Sequence, residues 1–417
     1  MRLRSTRLGF DPQLVFCANH DRGEVEEIMI AAISLPRLMR IGAGASRELA
    51  PVLQQLGLKS PMIVTDKYLV SSGKVDALLE PLKAADITAR VFSDSVPDPT
   101  ITSINAGLAF LRESEHDCVI GFGGGSPIDS SKAIAVLAVH GGKMPDYKTP
   151  HMQDTPGLPI IAIPTTAGTG SEATRFTIIT DEVTDEKMLC PGTAYLPIAA
   201  LVDFELTMTK PKRLTADTGI DSLTHAIEAY VSKRANPFSD SMALAAMRAI
   251  APNLRRVMKD PGDRAAREAL MIGATQAGIA FSNSSVALVH GMSRPIGAHF
   301  HVPHGLSNAM LLPAITAFSA PAALKRYAES ARAMGIAPEA EGDQSSVARL
   351  LEELDSLNRD LDVPGPKAYG IDENKWMSLI PTMAKQAIAS GSPANNPRVP
   401  TAEEIETLYK QVWRASA

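Results

Sequence analysis

Cysteine is scarce in this sequence: Cys17, Cys118 and Cys190 are scattered over 417 positions. They form no metal-binding pattern, and their odd number argues against a disulfide framework. Long apolar runs are missing too, since none approaches the roughly 18 residues that a membrane helix needs. The formal net charge of −5 gives no general attraction to nucleic acid or to an anionic membrane. We therefore expect a cytoplasmic protein with no nucleic-acid and no membrane partner.

A secretory signal is also missing near the N-terminus. The basic stretch MRLRSTR has no continuous apolar segment behind it. An arginine-rich transit peptide is the alternative, but the stretch that follows contains several acidic residues, in which transit peptides are poor. We expect residues 1–28 to be a disordered tail, or a segment upstream of a working start at Met29.

Residues 29–210 alternate between strand-like and helical patterns. Apolar runs such as PMIVTD, CVIGFGGGS and LPIIAIPTT predict strands, and SRELAPVLQQLG, TSINAGLAFLRESEHD and DSSKAIAVLAVHGG predict helices between them. We expect Ser46 to cap the first of these helices and Thr102 or Ser103 to cap the second. Such alternation predicts an α/β dinucleotide-binding domain with a mainly parallel sheet that is covered on both faces.

Residues 211–417 have a different sequence pattern, in which strand-like runs are absent and helical patterns dominate. The chain is also longer than one hydrophobic core usually serves. We therefore expect a second, all-α domain at 211–417. Ligands of open parallel sheets bind outside the carboxyl ends of the strands, so a cleft between the two domains is the expected site.

The stretch GFGGGSPID follows an apolar run and precedes a helical one. Gly123, Gly124 and Gly125 allow close approach of the backbone to a phosphate, and a helix N-terminus offers free N–H groups to an anion. The glycine spacing fits neither G-x-G-x-x-G nor a P-loop. A tight structural turn is the alternative explanation.

A second loop, PTTAGTGSEAT, occupies the same position after another strand-like run. Thr165, Thr166 and Thr169 offer hydroxyl groups there, and two such loops fit a dinucleotide better than a single phosphate. Asp66 ends the run PMIVTD, where a carboxylate can accept hydrogen bonds from ribose hydroxyls and repel a 2′-phosphate. This pattern favours NAD over NADP, although Asp66 also suits a helix cap.

Histidine is concentrated in one segment. Four of the nine histidines lie in residues 283–308, in NSSVALVHGMSRPIGAHFHVPHGLSN. His290 lies in a predicted short helix interrupted by Pro295, and His304 lies near a predicted helix start. A histidine at a helix N-terminus is held near neutral, as a metal ligand must be.

Asp221 and His225 are spaced i, i+4 in TGIDSLTHAIEAY, so both side chains share one helix face. Together with His290 and His304 they make a candidate site for a first-row divalent metal. Ordinary buried histidines are the alternative for each residue taken alone. The combination of Asp-x3-His with His-x13-His is hard to explain by packing.

These motifs resemble the iron-containing, or group III, alcohol dehydrogenases over about residues 36–415. The resemblance implies a metal-dependent, NAD-linked alcohol dehydrogenase or aldehyde reductase. In the implied reaction hydride passes between the alcohol carbon and nicotinamide, and the metal acts as a Lewis acid. It also implies Fe(II), with Zn(II) as the alternative, and a homodimer or higher homo-oligomer. The implied metal ligands are Asp221, His225, His290 and His304. The implied cofactor contacts are Asp66, Gly123, Gly124, Gly125, Ser126, Asp129, Thr165, Thr166, Thr169 and Lys187.

One position departs from the family pattern H-x3-H-P. The second histidine of that pattern is Arg294 here, and arginine cannot act as a general base. An arginine can pair with an anionic aldehyde or hydroxy acid. A salt bridge to a nearby acid, or contact with cofactor phosphates, is the alternative. Of the remaining histidines, His301 is the better candidate to replace the missing proton relay, and His299 the other.

Three other functions compete with a simple dehydrogenase. A lyase similar to dehydroquinate synthase would use NAD and a metal, but the PHG and TGID stretches speak against it. A hydroxyacid-oxoacid transhydrogenase would suit Arg294. A metal-dependent NAD-binding regulator is the non-enzymatic alternative, and the four complete ligand positions argue against it.

Overall fold

The structure, a computed structural model, describes residues 30–415 and, in addition, the backbone of two short strands before them. These strands, β1 (Val15–Phe16) and β2 (Glu27–Ile28), pair antiparallel. They belong to a unit that spans Met1–Ile33, and Ser34–Ala417 form the other compact unit. The prediction for residues 1–28 and the proposed start at Met29 fall almost entirely outside the described residues. The boundary between residues 210 and 211 stays a prediction.

A six-stranded parallel sheet organises the first half of the larger unit. Its strands are β3 (Leu38–Ile41), β4 (Pro61–Val64), β5 (Arg90–Phe92), β6 (Cys118–Gly123), β7 (Ile160–Pro164) and β10 (Ala199–Val202). Their order is β3-β10-β7-β6-β4-β5, and every pair is parallel. Four of these strands, β4, β6, β7 and β10, are buried along their whole length. Apolar runs without alternation are typical of such strands, because both faces are covered.

Helices lie on both faces of the sheet. They are α1 (Leu49–Leu56), α2 (Lys67–Ser71), α3 (Lys74–Ala84), α4 (Ile101–Leu111) and α5 (Gly125–His140). Consecutive residues of β4 point to opposite faces of the sheet. Ile63 packs in a cluster with α1 and α3, and Met62 packs in another with α4 and α5. The predicted parallel α/β arrangement is confirmed.

Two predicted helix caps are wrong. Thr100, not Thr102 or Ser103, caps α4, and Ser103 completes a capping box from the third helical position. The Ser46 hydroxyl donates to Asp203 Oδ2 at 2.6 Å instead of capping a helix. An antiparallel pair that the pattern did not predict, β8 (Phe176–Asp181) and β9 (Glu186–Pro191), lies between β7 and β10 in the chain.

The second half is helical, as predicted. Its helices are α6 (Lys212–Val231), α7 (Pro237–Lys259), α8 (Arg264–Ser282), α9 (Leu288–Phe300), α10 (His304–Ser319), α11 (Leu324–Ala333), α12 (Asp343–Asp360), α13 (Pro366–Tyr369), α14 (Glu373–Ala389) and α15 (Ala402–Ala415). The predicted interruption at Pro295 is wrong, since α9 continues through it to Phe300. Among the described helices none has both the length and the apolarity of a membrane span.

Candidate active site

Three helices bring four metal-binding side chains together. Asp221 and His225 project from one face of α6, His290 lies in the first turn of α9, and His304 is the first residue of α10. Asp221 Oδ1 lies 3.9 Å from Nε2 of His225, 3.6 Å from Nε2 of His290 and 3.7 Å from Nε2 of His304. All four ligand atoms lie within 4.8 Å of one another.

This geometry and chemistry fit a divalent transition metal. Ligand atoms about 2.1 Å from an ion at tetrahedral angles are roughly 3.4 Å apart, slightly closer than those here. Burial lowers the pKa of His225 to about 3 and that of His304, which stays partly exposed, to about 4. Burial opposes ionisation of Asp221, but the attraction of the three histidines outweighs it and lowers its pKa. The cluster therefore offers a carboxylate with neutral imidazoles at His225 and His304.

Glu228 orients one of these ligands. Its Oε2 lies 2.6 Å from Nδ1 of His290, so the ring proton lies on Nδ1 and Nε2 is left for a metal. The same carboxylate accepts backbone N–H groups from Ala287 at 2.9 Å and Val289 at 2.6 Å, at the start of α9. Glu228 thereby ties the position of α9 to α6.

Asn308 and Phe281 complete the walls of the cluster. Asn308 Nδ2 donates to Asp221 Oδ1 at 2.7 Å and lies 3.1 Å from Nε2 of His290. Its buried Oδ1 has no hydrogen-bond partner among the described residues. The ring of Phe281 stacks on that of His225 with 4.3 Å between centroids. A side-chain amide aimed at the converging donor atoms indicates that they face a common centre.

The predicted cofactor residues follow three neighbouring strands. Strands β4, β6 and β7 are adjacent in the sheet, and their carboxyl ends lead to Asp66, to the glycine loop and to the threonine loop. The Asp66 side chain accepts from the backbone N–H of Leu69 at 2.9 Å, so it caps α2. The helix-cap alternative for Asp66 therefore holds, and the cap uses only one of its two carboxylate oxygens.

The glycine loop forms the N-terminus of α5. Gly124 is the residue before the helix, and Gly125 and Ser126 open its first turn. A Cβ on Gly125 would lie 2.8 Å from Cγ2 of Thr169, so this glycine admits the threonine loop. A Cβ on Gly124 would meet only Thr166, at an ordinary 3.5 Å. The contact between the two loops thus explains why position 125 is a glycine. Packing within the protein does not explain why position 124 is one.

Two other predicted cofactor residues, Asp129 and Lys187, already bind protein groups. Asp129 accepts from the Ser171 hydroxyl at 2.5 Å and from the backbone N–H of Ile178 at 3.0 Å. Lys187 Nζ lies 2.9 Å from Asp98 Oδ1, and its side chain is 7% exposed. Thr165 is fully buried, and its hydroxyl has no hydrogen-bond partner within residues 30–415.

One cavity of about 240 Å³ joins the two halves of the site. Its walls include the four metal-binding side chains together with Gly125, Ser126, Asp129, Thr169, Lys187, Phe281, Arg294 and Ser392. His301 does not line it. His301 is exposed and ends α9 in the left-handed conformation at φ 55°, and His299 lies 2.9 Å from Gln386 Oε1. The structure thus gives no support to the predicted relay at His301.

Comparison with known sequences decides the family. The family model described as iron-containing alcohol dehydrogenase matches residues 36–204. The model described as the C-terminal part of the Fe-containing alcohol dehydrogenase family matches residues 215–413. The chain belongs to the iron-containing alcohol dehydrogenases. It is therefore an oxidoreductase that acts on CH–OH groups, and the lyase and transhydrogenase alternatives are not favoured.

Relatives cover almost the whole chain. The enzyme is 39% identical to long-chain-alcohol dehydrogenase 1 of Geobacillus thermodenitrificans, over 86% of this chain and 91% of that one. It is 34% identical to the NAD-dependent methanol dehydrogenase of Bacillus methanolicus, over 90% and 98% of the two chains. A crystal structure of 1,3-propanediol oxidoreductase, 34% identical, superposes with a TM-score of 0.88 over 92% of this chain and all of that one.

Sequence reasoning missed Glu228, Asn308 and Phe281. Glu228 had a signal, since it follows His225 by three residues and Asp221 by seven on the same helix face. Asn308 had a similar one, four residues after His304. Phe281 had none, because its contact with His225 depends on how α8 packs against α6.

Proposed function

We propose that the enzyme interconverts an alcohol and an aldehyde with NAD(H), using Fe(II) held by Asp221, His225, His290 and His304. The observation that carries this proposal is the single cavity in which these four side chains face the N-terminus of α5. A bound divalent metal supplies Lewis acidity to the substrate oxygen. Zn(II) is the alternative occupant, because the same donor set suits it.

The chain's own residues bind and orient the two reactants. In this proposal the N–H groups of Gly125 and Ser126 bind the cofactor pyrophosphate at the positive end of the α5 dipole. Asp66 accepts from the ribose hydroxyls while it caps α2. In the same proposal Lys187, which lines the cavity and pairs with Asp98, contacts the cofactor. The role of these groups is to hold the nicotinamide beside the substrate carbon.

The threonine loop and the remaining glycines support the cofactor in the same proposal. Gly123 and Gly124 keep the approach to α5 open, and Thr166 and Thr169 offer hydroxyls beside it. Asp129 lines the cavity and contacts the cofactor in this proposal, whereas Thr165 is fully buried, so we assign it the support of its loop rather than direct contact. We also propose that the protein acts in the cytoplasm as a homodimer or larger homo-oligomer.

Metal removal tests the proposed chemistry. Enzyme stripped with a chelator under anaerobic conditions is reloaded with Fe(II) or Zn(II), and NADH oxidation is followed with a short aldehyde. We expect the stripped enzyme to be inactive, Fe(II) to restore turnover and NADPH to be the poorer donor. Full turnover without metal, or none with either metal, contradicts the proposal.

A further inference from the structure

Arg294 is a buried cation that has no acidic partner in the part of the chain that the structure describes. It lies in α9 one turn after His290 and is 9% exposed. Nη1 donates to the hydroxyl of Ser392 at 3.0 Å, and Nε is buried with no hydrogen bond. Between residues 30 and 415, no carboxylate lies within salt-bridge distance of this guanidinium. The salt bridge that the sequence allowed is therefore absent from the described part of the chain.

The other positive charges that line this cavity and the cavity next to it are compensated. Lys187 pairs with Asp98, and Lys148 pairs with Glu186 at 2.7 Å. Arg294 has only the more distant attraction of Glu228, whose oxygens are already occupied by His290 and by the start of α9. Burial lowers the pKa of Arg294 to about 10, so the guanidinium stays charged at neutral pH. A buried unpaired charge is unfavourable, and an anionic ligand would compensate it.

The position of Arg294 sets which ligand can supply that anion. Arg294 follows His290 by four positions on one helix face, a rise of about 6 Å. Ser392 lies beside it, 4% exposed, and its hydroxyl accepts from Arg294, which leaves the Ser392 proton to donate. Arg294 is thus at the metal end of the cavity. Because the guanidinium and His290 are one helical turn apart, a ligand that contacts both the guanidinium and the metal site must be short.

We propose that the substrate is a short aldehyde that carries a carboxylate or sulfonate group, bound by Arg294 and Ser392 while its carbonyl faces the metal cluster. This specificity rests on the proposed function. A planar guanidinium binds either anion through two parallel hydrogen bonds, which a neutral aldehyde cannot form. The corresponding product is a short hydroxy acid or hydroxy sulfonate.

Two aldehydes of equal length test the proposal. The iron-loaded enzyme is assayed with NADH and either 4-oxobutanoate or butanal, and kcat/KM is measured for the wild type and for Arg294→Gln. We expect the wild type to prefer 4-oxobutanoate. We expect Arg294→Gln to lower the ratio of the two kcat/KM values roughly 100-fold, mainly through KM for the anionic aldehyde. Arg294→Lys keeps the charge but not the paired donors, so we expect its ratio to lie between those of the wild type and Arg294→Gln.

Lys148→Gln is the matched control. Lys148 and Arg294 line the same neighbouring cavity of about 290 Å³, but Lys148 is absent from the lining of the metal cavity. Its loss therefore removes a nearby positive charge without touching the proposed anion site. A ratio that falls equally in Lys148→Gln and Arg294→Gln would indicate a general field effect and overturn the proposal.

Other results separate this proposal from the proposed function. If Arg294→Gln leaves the ratio of the two kcat/KM values unchanged but weakens NADH binding, Arg294 binds the cofactor. That result overturns the proposed anion site. If the iron-loaded enzyme reduces neither aldehyde, the proposed function fails for short aldehydes, and saturation-transfer NMR with propane-1-sulfonate decides the anion site independently. Binding that Arg294→Gln abolishes supports the site, and no binding to the wild type overturns it.

Discussion

Nδ1 of His290 lies 2.6 Å from Oε2 of Glu228, so a carboxylate on α6 holds a metal-binding imidazole on α9. Glu228 follows His225 by three residues on the helix that also carries Asp221. It accepts backbone N–H groups at the start of α9 as well. One buried side chain therefore fixes the relative position of three of the four metal-binding residues.

Replacement of Glu228 tests this dependence. Glu228→Gln loses a charged acceptor for His290 Nδ1 and directs an amide group toward N–H donors. We expect metal affinity to fall roughly 10- to 100-fold, measured by competition with a chromophoric chelator. Glu329→Gln is the control. Glu329 accepts a hydrogen bond at 2.5 Å from the hydroxyl of Tyr230, which lies on α6 like Glu228, but it does not contact the metal cluster. Equal losses in both variants would contradict the special role of Glu228.

Asp66→Asn separates two roles of one side chain. Asparagine keeps the oxygen that accepts from Leu69 and so preserves the cap of α2. It removes the negative charge that would repel a 2′-phosphate. We expect kcat/KM for NADPH relative to NADH to rise at least tenfold, with little change in melting temperature. An unchanged cofactor ratio would show that Asp66 serves the helix alone.

Alanine substitutions at Gly124 and Gly125, at the start of α5, are expected to have different effects on stability and on NADH affinity. Gly125→Ala brings a Cβ to 2.8 Å from Thr169 Cγ2 and should lower both the melting temperature and NADH affinity. Gly124→Ala meets only an ordinary contact with Thr166 in the protein itself. A loss of NADH affinity at unchanged melting temperature therefore indicates that the cofactor approaches Gly124. Calorimetry and fluorescence titration check both variants, and full NADH affinity in Gly124→Ala would place the pyrophosphate elsewhere.

His304 and His301 form a matched pair three residues apart. His304→Ala removes one of the four converging donors and should abolish metal retention and turnover. His301→Ala changes an exposed residue outside the cavity lining, so we expect kcat to stay close to that of the wild type. Metal analysis and steady-state assays compare the two. A large loss of kcat in His301→Ala, with normal metal content, would restore the relay hypothesis.

Much of the architecture could be predicted because its signals are local. Apolar runs of four to six residues separated by helical patterns predicted the parallel sheet, and both loops at strand ends were found where expected. The errors are local as well. Thr100, Thr102 and Ser103 all carry a hydroxyl that suits the N-cap of α4. The residue types alone do not show which of the three is the cap. The pair β8–β9 broke the alternation and was missed.

The sequence by itself determined that Asp221 and His225 share a face, because the helical repeat sets the direction of residues four apart. It also determined that glycines and threonines follow neighbouring strands. Only the tertiary structure decided that His290 and His304 join Asp221, since the packing of α9 and α10 against α6 sets those distances. It likewise decided that His301 faces outward and that Arg294 is buried without an acid. The partners of a side chain depend on contacts between elements far apart in the chain, which no local spacing encodes.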